Sequence, residues 1–138
     1  MRYLLDTNIV SLFARGQDKV KALLIACAPS ELAISAITQM EISYGFRLNP
    51  TRVQKVQPVI ERLLGPVTVL PFERADGEMA GQIRADLQAM GQPVGPFDLL
   101  IASCAVRRGL CLVTNNTREF QRIKGLVLED WSHSTTPP

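Results

Sequence analysis

Three acidic residues stand where their surroundings ask for something other than an acid. Asp6 ends the strand-like run 2–5 and is followed at once by Thr7 and Asn8. Glu41 lies within AITQMEISYGFRL, residues 36–48, where helical spacing gathers Ile37, Met40, Tyr44 and Leu48 on the same stripe. Asp98 follows Gly95-Pro96, a good helix start, and lies beside a stripe of Phe97, Leu100, Ile101, Cys104 and Ala105. Each acid has an ordinary structural explanation. Asp6 could cap a helix, Asp98 could face a helix dipole, and Glu41 could sit at the edge of its stripe and reach water. Yet no Lys or Arg lies three or four positions from Glu41 to pair with it locally. An isolated buried carboxylate is expensive, so it is usually paired, protonated or bound to a metal.

Together the acids suggest a specific chemistry. Two like charges about 4 Å apart repel by about 4 kcal/mol at an effective dielectric of ~20. A converged cluster of carboxylates therefore persists when a divalent cation neutralises it. Mg²⁺ and Mn²⁺ take hard oxygen ligands, often a few carboxylates plus water and phosphate oxygens. Such ions lower the pKa of a bound water and clamp a phosphate. Zinc fits poorly, because Cys27, Cys104 and Cys111 are scattered and His133 is the only histidine. Acid–base chemistry through histidine fits poorly too, since His133 is far in sequence from all three acids.

The elements that must carry these residues alternate. Strands are expected over 2–5, 31–35, 67–70, 110–113 and, weakly, 125–128. Helices are expected over 7–15, 19–28, 36–48, 51–64, 73–90 and 97–108, with a short turn near 117–121. Gly and Pro punctuate the joins, as at Pro29-Ser30, Asn49-Pro50 and Gly65-Pro66. This alternation predicts a layered α/β domain with parallel crossovers. In such sheets ligands bind outside the carboxyl ends of the strands. Asp6 follows the first strand and Thr114-Asn115-Asn116 follow the fourth.

A length of 138 residues fits one domain, expected to span 1–132, with a flexible tail over 133–138. A hydrophobic share of 46% places the chain among globular proteins. A net charge of +2 neither demands nor excludes nucleic acid. The odd count of cysteines fits a reducing cytoplasm better than a disulfide framework. The opening apolar run has no cleavage-site pattern, and no stretch is long and apolar enough to span a membrane.

Four segments closely resemble the PIN-domain ribonucleases, specifically the VapC-type toxins of bacterial toxin–antitoxin pairs. They are LLDTNIV at 4–10, ISAITQMEISYG at 34–45, GQIRADLQAMGQPVGPFDLLIAS at 81–103 and LVTNNTREFQRIKGLVLEDW at 112–131. DTN alone is a weak signal; the four together, in order and at these spacings, are strong. The resemblance implies a three-layer α/β/α sandwich around a parallel sheet. It implies an acidic pocket that binds Mg²⁺ or Mn²⁺ and hydrolyses structured RNA, with tRNA the leading substrate. The family's acids fall on Asp6, Glu41 and Asp98, and supporting polar positions fall on Thr7, Asn8 and Thr114. It further implies a homodimer held inactive by a small VapB-like antitoxin, whose tail fills a groove near the acids.

The sequence departs from the pattern at the fourth acid, where many PIN domains carry Asp. Here Asn116 occupies that position, and Glu119 follows three residues later. Asn116 can accept or donate a hydrogen bond but brings no charge. Glu119 either substitutes for the missing acid or is a solvent-facing residue on a short turn. Arg84 and Arg118 are candidate RNA contacts; Arg107, Arg108, Arg122 and Lys124 read more simply as solvated surface. Ile60, Leu63 and Leu64 are apolar enough for a core or an interface. Two rival functions remain at this level. A phosphatase or phosphotransferase would use Asp6 as a covalent nucleophile, but expects a second acid where Asn8 stands. A non-catalytic RNA- or protein-binding module would need the acids only as caps and surface charges.

Overall fold

The computed structural model describes residues 1–133. The tail expected over 133–138 therefore lies, beyond His133, outside the described residues. The element order is β1 (Tyr3–Leu5), α1 (Thr7–Ala14), α2 (Asp18–Ala26), β2 (Leu32–Ser35), α3 (Ala36–Leu48), α4 (Pro50–Leu64), β3 (Thr68–Leu70), α5 (Arg74–Ala89), α6 (Pro96–Arg108), β4 (Cys111–Val113), α7 (Thr117–Phe120) and β5 (Val127–Glu129). A short 3₁₀ turn, Pro29–Glu31, leads into β2. The five strands form one parallel sheet in the order β3-β2-β1-β4-β5.

The strands are short and nearly continuous in apolar residues, as expected when both faces of a parallel sheet are covered. Alternation divides them between two cores. Tyr3, Leu5, Leu32, Ile34 and Val113 pack with Ile9, Val10, Val20, Leu24 and Ile60. Leu4, Ala33 and Leu112 face the other way, against Ile83, Leu87, Ile101, Cys104 and Phe120. Helices thus cover both sides of the sheet, giving the α/β/α sandwich. Ile60 joins the first core as a buried residue, with Leu63 and Leu64 packed partly buried against it.

The chain moves outward from β1 through β2 to β3, then returns to lay β4 on the opposite side of β1. The carboxyl ends of β1 and β4 therefore form the switch point, where crossovers diverge and leave a crevice. Asp6 and Thr114 are the residues that follow those two strands.

Two expectations need revision. The last strand begins at Val127 rather than 125, because Gly125 takes a left-handed φ of 84° and forms the preceding turn. On α3 the stripe Ile37, Met40, Tyr44 and Leu48 is not the buried face. Thr38 and Ile42 are buried and Phe46 packs behind them, whereas Tyr44 is 60% and Leu48 64% exposed. Apolar residues occupy two neighbouring stripes of this helix, and periodicity alone does not say which one meets the sheet.

Candidate active site at the carboxyl edge of the sheet

Asp6 is a cap, and it is also buried beside other acids. Its Oδ1 accepts the Ile9 N–H at 2.9 Å and caps α1. Its own N–H donates to the Val113 carbonyl at 3.1 Å, which stitches the end of β1 to the end of β4. The residue is only 2% exposed. Burial pushes its carboxyl up to about 6, against hydrogen bonds from Thr114 and the Ile9 amide that favour the charged form; the nearby Asp98 and Glu41 charges raise it further. Thr114 is itself buried, and its hydroxyl accepts the Asn116 N–H at 2.9 Å. A single threonine therefore links the loop after β4 to the acid after β1.

Asp98 sits in the first turn of α6 and is half-buried. Burial raises its carboxyl to about 6, and the charges of Glu119 and Glu41 add to the rise. No protein hydrogen bond among the described residues relieves it. Glu41 is partly exposed at the margin of the buried face of α3. The Thr7 hydroxyl donates to its Oε1 at 2.6 Å. Behind Thr7 the hydroxyls continue to buried Thr38 at 3.3 Å and then to buried Ser35 at 3.4 Å. Ser35 also caps α3 by accepting the Thr38 N–H. This buried hydroxyl chain was invisible as site architecture in the sequence, although Ser35 three residues before Thr38 is a legible cap.

Asp6, Glu41 and Asp98 thus come from three elements; the charges of Asp98 and Glu41 act on Asp6, and that of Glu41 acts on Asp98. Glu119 belongs to the same neighbourhood. Its Oε1 accepts the Gly95 N–H at 2.6 Å and its Oε2 accepts the Asn116 side-chain amide at 3.1 Å. The Gly95 amide, helped by Asn116 and Arg122, holds the Glu119 carboxyl below its ordinary value although burial opposes this. Asn8 is exposed on α1, Arg118 is exposed on α7, and Arg84 is exposed on α5. Arg84 borders a groove of about 840 Å³ with Leu87, Pro93, Val94 and Leu99.

The donor chemistry fits a hard divalent cation. Carboxylate oxygens predominate, and the Asp6 and Asp98 carboxyls are raised by burial and by neighbouring negative charges, which a positive ion would reverse. The fit is open rather than caged. Among the described residues, no group of three or more His, Cys, Asp or Glu side chains is arranged to hold a metal ion as it stands. That suits an ion that completes its shell with water and phosphate oxygens.

Arg107 and Arg108 do not belong to a solvated surface. They cross from the end of α6 to Asp76, which is fully buried near the start of α5, at 2.7 and 2.6 Å. This ion cluster lay outside the sequence reading because its partners are about thirty residues apart.

A parallel-sheet domain with an acidic crevice at its switch point defines a class of hard-oxygen site suited to phosphate chemistry. Residues 3–126 match the PIN domain family. A tRNA(fMet)-specific endonuclease VapC from Shigella flexneri is 39% identical over 132 residues, covering 96% of this chain and 99% of the relative. Ribonuclease VapC2 from Rickettsia felis is 33% identical, covering 95% and 98%. The crystal structure of DNA-bound VapBC from Salmonella typhimurium superposes with a TM-score of 0.86 at 36% identity, covering 95% of this chain and 98% of that one. The chain belongs to the PIN-domain family, among the VapC ribonucleases. PIN-domain ribonucleases generally depend on a divalent metal.

Proposed function

We propose that this protein is a Mg²⁺- or Mn²⁺-dependent endoribonuclease toxin that cuts tRNA in the cytoplasm and is neutralised by a cognate VapB-like antitoxin. The observation that supports the reading is that Asp6, Glu41 and Asp98, from three elements, lie near enough for their charges to act at Asp6, with the Asp6 and Asp98 carboxyls pushed up to about 6. The tRNA-specific names of the Shigella and Salmonella relatives support the substrate class. The three free thiols, Cys27, Cys104 and Cys111, suit a reducing compartment. No helix among the described residues is long and apolar enough to cross a membrane.

Asp6, Asp98 and Glu41 would hold the cation, directly or through its waters. When bound, the cation supplies an activated water and charge neutralisation at the phosphate. Asp6 is fixed by the α1 cap and by Thr114, so its carboxylate needs little reorganisation to act. The hydroxyl chain through Thr7 and Thr38 orients Glu41. Asn8 and Asn116 offer amide groups near the same edge, and Arg84 and Arg118 offer exposed guanidinium groups for RNA phosphates. The antitoxin tail has a fitting groove of about 300 Å³, which runs from Thr7 and Glu41 along Ile42, Phe46 and Val56. An arginine in such a tail would meet the carboxylates as a charge-assisted pair. A homodimer is part of this proposal.

The test compares wild type with Asp6→Asn on total cellular RNA with Mg²⁺ or Mn²⁺, and with EDTA. Discrete products that need both the metal and Asp6 are the expected result. Equal cutting by Asp6→Asn, or no cutting by folded, antitoxin-free wild type, would leave Asp6 as a cap and favour a non-catalytic binding module.

A further inference from the structure

Glu119 makes a contact that helix geometry ordinarily reserves for Asp98. Gly95 is the N-cap of α6 and Asp98 is the third residue after it. In a capping box, an acid at that third position reaches back and accepts the N-cap N–H. Two other helical starts in this molecule do so. Asp76 of α5 accepts the Glu73 N–H at 2.7 Å, and Glu31 accepts the Ala28 N–H at 3.2 Å. At α6 the corresponding donor, the Gly95 N–H, is already taken by Glu119 from α7 at 2.6 Å. Glu119 is steadied there by the Asn116 amide on its other oxygen. Asp98 and Glu119 both lie close to Gly95. A Cβ added there would stand 3.5 Å from Asp98 Oδ2 and 3.6 Å from Glu119 Oε1.

We propose that Glu119 is a positioning residue: it occupies the Gly95 N–H, prevents Asp98 from folding back onto its own helix start, and leaves the Asp98 carboxylate facing the crevice. This reading rests on the nuclease function proposed above. It assigns Asn116 and Glu119 together to a clasp between α7 and α6, with Glu119 acting through Asp98.

Three substitutions separate reach from charge. Glu119→Gln keeps an acceptor oxygen for Gly95 and removes the charge; Asn116 can turn its amide to suit. Glu119→Ala removes the acceptor. Glu119→Asp keeps the charge but is one methylene too short to hold the contact. The expected result is RNA cleavage within a few-fold of wild type for Glu119→Gln. Glu119→Ala and Glu119→Asp should each fall on the order of 10²-fold, mostly in kcat, as for a misplaced reacting group. Crystal structures of these two variants should show an Asp98 oxygen hydrogen-bonded to the Gly95 nitrogen. The proposal is overturned if Glu119→Gln is as slow as Glu119→Ala, which would mean the charge itself is required. It is equally overturned if Asp98 stays in place in the Glu119→Ala crystal structure. That structural readout stands whether or not the wild type cuts RNA, so failure of the nuclease reading is told apart from failure of this one.

Discussion

The starts of α5 and α6 carry the same residue at the same position and give it opposite fates. Asp76 and Asp98 are each the third residue after an N-cap, Glu73 in one helix and Gly95 in the other. Burial alone would raise the Asp76 carboxyl, but hydrogen bonds from Arg107, Arg108 and the Glu73 amide hold it well below the usual carboxylate range. Among the described residues Asp98 has no such donor, and it is pushed the other way, up to about 6. The helix supplies the same backbone geometry in both places. What differs is the neighbours: two arginines around one acid, two further acids beside the other. α6 takes part in both, with Asp98 at its first turn and the arginines that grip Asp76 at its last. Both ends suit the helix dipole, acid at the start and base at the finish. One helix therefore carries an acid raised by its neighbours and, at its other end, the cations that neutralise a buried acid.

The largest break in this comparison should come from exchanging the acids for neutral groups. Asp98→Asn is expected to lower RNA cleavage by about 10³-fold while the fold is kept, a loss comparable to removing one preorganised transition-state group. Single-turnover rates together with circular dichroism would check both halves. Asp76→Ala should do the converse. It leaves two arginines with their buried partner gone, at a cost of about 3 kcal/mol, the low end for a broken buried pair because both guanidinium groups reach solvent. For a chain near this size that is a fall of roughly 10 °C in melting temperature. Cleavage at a temperature where the variant remains folded should stay close to wild type. If Asp76→Ala lost activity as heavily as Asp98→Asn, the division into structural and chemical acids would fail.

The pH dependence sharpens the contrast, because the signs differ. The folded-state values of Asp6 and Asp98 are about 6, above the ordinary 3.8. Between those values the folded protein holds protons that the unfolded chain releases. Their favourable contribution is therefore present near pH 4 and is lost as the pH rises through about 6. Asp76 is depressed, so its contribution is present above about pH 4 and is lost at lower pH. Metal-free protein should consequently unfold at higher urea concentration near pH 5 than at pH 7.5. Asp98→Asn should flatten the alkaline fall, and Asp76→Ala the acid one. Mg²⁺ at pH 7.5 should restore much of the difference by binding only the folded state. A urea midpoint that rises from pH 5 to pH 7.5 in metal-free protein would contradict the raised carboxyls.

The smallest effect is expected at Thr38, behind Glu41. Thr38→Val keeps the shape and removes one link in the hydroxyl chain, at about 1 kcal/mol of stability. Cleavage should fall about tenfold through a less well oriented Glu41, and Thr38→Ser should recover most of it. An unchanged rate in Thr38→Val would reduce that chain to packing.

Much of this molecule was legible in one dimension because the relevant signals are local. Apolar runs bounded by Gly and Pro marked five strands, helical periodicity marked the helices between them, and β–α alternation required parallel crossovers. Asp6 at the tip of the first strand and Thr114 after the fourth were legible for the same reason, since a parallel sheet presents its carboxyl ends together. The quoted motifs, taken jointly, carried the family. Other features depended on contacts between residues far apart in the chain. Which of two apolar stripes on α3 meets the sheet was decided by packing, which chose Thr38 and Ile42 and left Tyr44 and Leu48 outside. Arg107 and Arg108 look like surface charges until α5 is laid beside α6 and Asp76 is buried between them. The role of Glu119 depends on whether Gly95 comes within hydrogen-bonding distance of α7. Sequence fixes which groups are present and what each can donate or accept. Only the tertiary structure fixes which donor reaches which acid first, because a hydrogen bond or ion pair depends on a separation of a few ångströms that spacing along the chain does not encode.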